Sequence, residues 1–135
     1  MATVNVFVAN AKSDSEEVVK DAIEKFKLRF SKNTYVFVTG FQDWSQNMKR
    51  LGSWDAWEKN VVYGMKYGTV EKKYGIIFCI NRTIGKATAN IVQHALTAGT
   101  KVVLLDPETR EFSAVKAVTK REDTDDWKNG WMLQA

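Results

Sequence analysis

Tyr74-Gly-Ile-Ile-Phe-Cys-Ile80 is a nearly continuous apolar run in the middle of this 135-residue chain. Such a run is typical of a strand that is buried on both faces, as at the centre of a parallel sheet. Three more short apolar runs, Val4 to Val8, Thr34 to Thr39 and Lys101 to Leu105, predict further strands. The segment from Phe112 to Val118 alternates apolar and polar residues, which predicts a half-exposed last strand.

Amphipathic segments separate these strands. Ser13 and Glu16 have the spacing of a capping box, which predicts a helix that ends near Asn33. Helices are also predicted from Ser53 to about Tyr67 and from Ala87 to Ala98. Apolar stripes support all three helices: Val19, Ala22, Ile23, Phe26 and Phe30; Trp54, Trp57, Val61 and Met65; Ala87, Ile91, Val92, Ala95 and Ala98. Residues 40–52 are predicted to be a long loop, and long loops in compact domains are often functional.

The alternation of strands and helices predicts one Rossmann-like α/β domain over residues 1–135. We expect a three-layer α/β/α sandwich with a mostly parallel five-stranded sheet in the flavodoxin-like order 2-1-3-4-5. Residues 122–135 are predicted to form a C-terminal tail that packs through its tryptophans. Trp54 and Trp131 offer more apolar surface than a small domain buries easily, which predicts a homo-oligomer.

The composition excludes several classes of protein. The hydrophobic content of 44% is incompatible with disorder, and the 20 Lys+Arg and 16 Asp+Glu residues are interspersed rather than clustered. Cys79 is the only cysteine and His94 the only histidine. We therefore expect no disulfide framework, no metal site and no serine triad, and we assign Cys79 to inert core. The sequence has neither a leader-like start nor 18 consecutive apolar residues, so we expect a cytoplasmic protein without membrane contact.

Ligands of such sheets bind beyond the carboxyl ends of the strands. Asn10 and Lys12 follow the first predicted strand, Asp43 and Trp44 the second, and residues 81–86 the third. Trp44 is predicted to be exposed and to stack on a base, and Asp43 to bind a ribose hydroxyl.

Arg82, Thr83 and Lys86 precede or open a predicted helix, whose free N–H groups favour an anion. This loop is the predicted seat of a phosphate or carboxylate, although an ordinary basic helix start would have the same sequence. It is not a Walker A loop, because Ala87 stands where Ser or Thr would bind magnesium, and the first βα turn lacks the glycines of a dinucleotide fingerprint.

Asp55 and Glu58 lie one turn apart on their predicted helix. They are candidates for an acid–base pair or for binding a ribose hydroxyl. The alternative is that both carboxylates only complement the helix dipole.

Three places carry a family resemblance: Val6-Phe-Val-Ala-Asn10 with the capped helix after it, the loop of residues 40–52, and the segment from Gly85 to Val103. Together they resemble the nucleoside 2-deoxyribosyltransferase-like group and its wider Rossmann-like nucleotide-binding relatives, which include the cytokinin-activating phosphoribohydrolases. The resemblance implies action on an N-glycosidic bond through a glutamate at the anomeric carbon. Aligned on Ala95-Leu96 and Gly99, that glutamate falls at Asn90 or Ile91, and neither residue can be a nucleophile. Asp43, Asp55 or Glu58 would have to replace it, or Asn90 belongs to a site that binds without cleaving.

We therefore expect a protein that binds a nucleotide or nucleoside-derived small molecule, as a sensor or a sequestering protein, and we name no cofactor. One alternative is an N-glycosidic hydrolase or transferase that uses Glu58 or Asp55. Another is a module for protein or nucleic-acid interaction, and the interspersed charges make nucleic acid the less favoured partner.

Overall fold

The computed structural model describes residues 2–10, 14–63, 73–123 and 129–135. The strands are β1 (Thr3–Ala9), β2 (Thr34–Thr39), β3 (Ile76–Cys79), β4 (Thr83–Ile84), β5 (Lys101–Leu105), β6 (Phe112–Ala114), β7 (Ala117–Lys120) and β8 (Trp131–Gln134). The helices are α1 (Glu16–Arg29), α2 (Gly40–Leu51), α3 (Trp54–Val62) and α4 (Lys86–Ala98).

The main sheet has five strands in the order β2-β1-β3-β5-β6. The first four strands are parallel and β6 is antiparallel to β5. This α/β arrangement confirms the predicted mostly parallel sheet and its strand order. A second, smaller sheet, which the sequence did not predict, has the antiparallel order β4-β8-β7.

Alternate residues of the central strands pack on opposite faces of the main sheet, as the pleat of a strand requires. On one face, Val6 and Val8 join α1, whose fully buried Phe26 lies 4.8 Å from Phe78 between ring centroids. On the other face, Phe7 and Ala9 belong to a core that includes buried residues of α2, α3 and α4. The predicted core positions Trp57 and Cys79 are buried there.

The predicted loop of residues 40–52 is wrong, because these residues form helix α2. Thr39 and Gln42 make a capping box, and Gly52 ends the helix with a left-handed φ of 81°. The buried positions of α2 are Asp43, Asn47 and Leu51. The apolar residues of α2, Phe41, Trp44, Met48 and Leu51, nevertheless fall at i, i+3, i+7 and i+10, so its helical period is present in the sequence and the prediction of a loop overlooked it.

Other boundaries also shift. The side chain of Ser15 caps α1 by accepting a hydrogen bond from the Val18 N–H, whereas the predicted cap, Ser13, lies outside the described residues. The helix ends at Arg29 rather than near Asn33. α3 ends at Val62, and the rest of its predicted length falls outside the described residues. Ala98 is exposed rather than inward-facing.

The predicted last strand, residues 112–118, divides between the two sheets. Its first part is β6, and β7 begins at Ala117 and pairs with β8. The end of the predicted C-terminal tail is therefore a strand, which also pairs with β4 in the loop that follows β3.

Candidate functional site

The carboxyl ends of β1 and β3 meet where the strand order reverses. Asn10 follows β1 and Asn81 follows β3 by two residues. The Asn81 side-chain amide donates a hydrogen bond of 2.8 Å to the Asp14 carboxylate, so the segment before α1 is joined to the segment after β3. This is the position in a parallel sheet where ligands commonly bind.

A groove of about 620 Å³ opens at this edge, between α1 and the start of α2. Val19 and Ile23 of α1 supply apolar lining. The other lining residues that the structure describes are Asn10, Asp14, Glu16, Lys20, Thr39, Phe41 and Gln42. The structure thus places Asn10 at the groove, as predicted from its position after β1, whereas Lys12 lies outside the described residues. The volume of this groove is in the range of small-molecule sites, and its described lining combines three apolar side chains with six polar or charged ones.

Two polar lining residues are engaged in the capping box of α2. The Thr39 hydroxyl accepts from the Gln42 N–H at 3.3 Å, and the Gln42 side-chain oxygen accepts from the Thr39 N–H at 3.0 Å. These bonds fix the wall of the groove beside Phe41, whose side chain is 60% exposed. Phe41 therefore offers a ring for stacking at the mouth of the groove.

The predicted anion loop lies farther along the edge, and its two cations have partners within the chain. The Arg82 guanidinium is 3.6 Å from the Asp106 carboxylate after β5. The Lys86 ammonium lies over the ring of Trp131, 5.3 Å from its centroid. Thr83 is in β4, and the Arg82 carbonyl accepts from the Leu133 N–H. The C-terminal strand therefore holds the loop against the body of the protein.

The start of α4 keeps one property of an anion site. Gly85 at its N-cap has no side chain with which to cap the helix, and the first turn contains Lys86 and no acidic residue. The first turn of α4 therefore lacks both a side-chain cap from its N-cap residue and a carboxylate to complement the helix dipole, and the anion site stays a prediction. However, Arg82 and Lys86 are held by different partners, so the structure does not show them converging on one ligand.

A second polar cluster lies between α3 and α4. Contacts of Glu58 with Asn90 and of Tyr63 with His94 show that the two helices run side by side in the same direction. Asn90 donates to Glu58 Oε1 at 3.2 Å, while Glu58 Oε2 is buried without a hydrogen-bond partner in the structure. The cluster therefore joins Glu58 to Asn90, one of the two positions, with Ile91, at which the resemblance would place a catalytic glutamate.

The environment of Glu58 changes its acidity. The side chain is only 4% exposed, and this burial raises the pKa of its carboxyl above the ordinary value of 4.5. The hydrogen bond from Asn90 opposes the rise, the charge of Asp55 adds to it and the charge of Lys86 opposes it. Asp55 is itself exposed and pairs with Lys59 at 3.4 Å. The two carboxyls thus lie one turn apart in different environments.

The Asp43 side chain is hydrogen-bonded inside the core and is not among the described residues that line the groove. It is buried, and its two oxygens accept from Trp57 Nε1, from the Tyr74 hydroxyl and from the Asn47 side-chain amide. We therefore leave Asp43 out of the proposed ribose site. The sequence indicated a carboxylate near the edge of the sheet but could not show that its bonding capacity is taken up inside the protein.

Trp44, which was predicted to be exposed and to stack on a base, is half-buried. Trp44 lies between Phe41 and Trp54, with ring centroids 6.1 Å from each and both pairs stacked. Phe41 and Trp54 are the exposed members of this row. Sequence reasoning therefore missed Phe41, although the Thr39–Gln42 capping box could have placed it on the first turn of a helix. The exposed Trp54 keeps self-association as a prediction.

Within the described ranges, no group of three or more His, Cys, Asp and Glu side chains is arranged to hold a metal ion. Burial raises the pKa of the Cys79 thiol to about 12, in agreement with its assignment to inert core. None of the described helices is both long enough and apolar enough to cross a membrane.

Comparisons with known proteins found no relative of this chain. No protein-family model matches the sequence. Among curated proteins and among solved structures, no match was found either.

Proposed function

We propose that this protein binds a nucleotide- or nucleoside-derived small molecule in the groove between α1 and α2. The observation that carries the proposal is a cavity of about 620 Å³ at the carboxyl edge of the parallel sheet, where β1 and β2 end. Its volume is in the range of small-molecule sites. A nucleoside has an aromatic base and a polar sugar, and the groove offers surfaces for both.

The base would stack on the exposed ring of Phe41 and cover the apolar side chains of Val19 and Ile23. The sugar hydroxyls would lie toward Asn10 and Asp14, where a carboxylate accepts and an amide both donates and accepts. The bond from Asn81 to Asp14 holds that carboxylate in place, which lowers the entropy cost of ordering it around a ligand.

Two measurements on the full chain test this proposal. Mass spectrometry of material released by denaturing the purified protein identifies a ligand that was carried through purification. Thermal-shift titration with nucleosides, nucleotides, ADP-ribose-type compounds and sugar phosphates tests added ligands. A stabilising ligand that is recovered intact supports a binding protein. If nothing is released and no compound raises Tm, the proposal is wrong and a macromolecular interaction takes its place.

N-glycosidic hydrolysis or transfer is a second candidate function, favoured by the two carboxyls at the start of α3. In this reaction the glycosidic C–N bond breaks, and the base nitrogen keeps the electron pair and takes a proton. Glu58, whose pKa is raised by burial, would donate that proton, and Asp55 would accept the proton of the water or hydroxyl that attacks the anomeric carbon. Neighbouring carboxyls in unlike environments are a recurrent arrangement for such paired roles.

The second candidate is tested by incubating nucleosides and nucleotides with the protein and separating free base from substrate. If the protein is such an enzyme, Glu58→Gln and Asp55→Asn each remove most of the turnover, and Glu17→Gln, an exposed carboxylate on α1, does not. Turnover that survives both changes would exclude these roles. No release of base by the wild-type protein would leave the binding proposal standing alone.

A further inference from the structure

We infer that the groove selects against phosphorylated ligands and prefers neutral or cationic nucleosides, an inference that rests on the proposed function. The observation behind it is the charge of the groove. Its described lining contains two carboxylates, Asp14 and Glu16, and one ammonium group, Lys20. Within this described lining the negative groups outnumber the positive one, so a phosphate beside them would meet net repulsion from these side chains.

The helix end at the groove is already neutralised by the chain itself. In many nucleotide-binding proteins the N-terminus of the first helix holds phosphate through free N–H groups and the helix dipole. Here Ser15 accepts from the Val18 N–H at 3.2 Å, and Glu16 and Glu17 occupy the first turn. Ser15 thus satisfies one of the N–H groups, and the two carboxylates supply the negative charge that this end of a helix favours, so a further anion gains less there.

The cations of the predicted anion loop do not compensate for this charge. Arg82 pairs with Asp106, and Lys86 lies over Trp131. Neither residue belongs to the described lining of the groove. The contrast with α4, whose first turn holds Lys86 and no acid, shows that the two helix ends at this edge have opposite preferences.

The ring at the mouth of the groove adds to the preference for a positive ligand. Phe41 is exposed, and the face of an aromatic ring attracts a cation. A nucleoside with a cationic base could place its charge over this ring while its hydroxyls reach the carboxylates.

Three ligands that share the adenine base and ribose test the inference by isothermal titration calorimetry near neutral pH. Adenosine is neutral, 1-methyladenosine carries a positive base, and adenosine 5′-monophosphate adds a negatively charged phosphate. We expect the monophosphate to bind about fivefold to tenfold more weakly than adenosine, and 1-methyladenosine to bind at least as tightly as adenosine. The differences should shrink in high salt, because ions screen exposed charges.

Substitutions at Glu16 test whether the groove is the cause. Glu16→Gln should reduce the discrimination against the monophosphate, and Glu16→Lys should reverse it. Glu24→Gln removes the same charge from an exposed position later on α1 and is the matched control, expected to leave the discrimination unchanged. A monophosphate that binds as tightly as adenosine, or a discrimination that does not change in Glu16→Lys, would overturn the inference. Failure of all three ligands to bind would instead contradict the proposed function.

Discussion

The carboxylate of Asp43 accepts a hydrogen bond of 2.8 Å from Trp57 Nε1 and one of 2.6 Å from the Tyr74 hydroxyl. One side chain of α2 is thereby joined to α3 and to the residue two positions before β3. Phe7 of the central strand packs against both aromatic partners, with ring centroids 6.3 Å from Trp57 and 5.4 Å from Tyr74. This network fixes α2 and α3 against the sheet.

Asp43→Ala is expected to lower the free energy of unfolding by about 3 kcal/mol, because it leaves a buried indole N–H and a buried hydroxyl without an acceptor. Urea denaturation followed by tryptophan fluorescence measures the change. Asp21→Ala, which removes an exposed carboxylate paired with Lys25 and Arg110, is the control and should cost less than about 1 kcal/mol. Equal stability of the two variants would contradict a structural role for Asp43.

The buried carboxyl of Glu58 predicts a pH dependence of stability. Burial raises its folded pKa above 4.5, so the folded state keeps the proton to a higher pH than the unfolded chain does. Unfolding then releases a proton between pH 4.5 and the folded pKa, and stability falls as pH rises through that range. Glu58→Gln replaces the carboxyl with an amide that does not ionise, so this decrease of stability with rising pH should disappear.

The stability gained by Glu58→Gln over wild type should therefore be absent below pH 4.5, grow with rising pH and then level off. Denaturation curves from pH 3 to 8 measure it, with Glu17→Gln as the control for loss of one carboxylate. A gain that is no larger than in the control at any pH would show that the Glu58 carboxyl carries no desolvation cost.

Arg82 and Lys86 are expected to contribute little to the binding of an unphosphorylated ligand. In the double variant Arg82→Ala/Lys86→Ala, adenosine affinity should stay within about twofold of wild type, because both cations are held outside the groove. Calorimetry on the folded double variant measures this. A tenfold loss of adenosine affinity would instead indicate that the ligand binds at the loop between β3 and α4.

Gly99 ends α4 in a left-handed conformation with a φ of 77°, and its N–H bonds to the carbonyl of Leu96. Gly99→Ala is expected to cost about 1 kcal/mol, and Gly99→Asn less, because asparagine tolerates this conformation better than alanine. Thermal unfolding of both variants gives the order. A greater loss in the asparagine variant would contradict a backbone cause.

The sequence predicted the main sheet and helices α1, α3 and α4, and it missed α2 and the small second sheet. The run from Tyr74 to Ile80 and the stripe of α1 identify a strand and a helix because their side chains repeat with the right period. Helix α2 has the same period, through Phe41, Trp44, Met48 and Leu51, but its many polar residues and the glycines at its two ends led to the prediction of a loop. β4 is only two residues long and depends on pairing with β8, a contact 47 residues distant that no local pattern encodes.

The candidate site was predictable in position but not in composition. Strand order alone placed Asn10 at the edge where the groove lies. The groove depends on Glu16 of α1 and Phe41 of α2 meeting at the carboxyl edge of the sheet, although the two helices pack on opposite faces. The partners of Asp43, Arg82 and Lys86 likewise come from distant segments. They bury Asp43 in the core and engage the exposed Arg82 and Lys86 outside the groove.

The central claim is that a nucleoside occupies the groove beside Phe41, and calorimetric titration of adenosine tests it most directly. We predict that wild type and Leu28→Ala, which alters an exposed residue near the far end of α1, bind alike. Phe41→Ala should bind about tenfold more weakly, because loss of stacking on one ring costs roughly 1–3 kcal/mol. Equal affinity of Phe41→Ala and wild type would contradict the account.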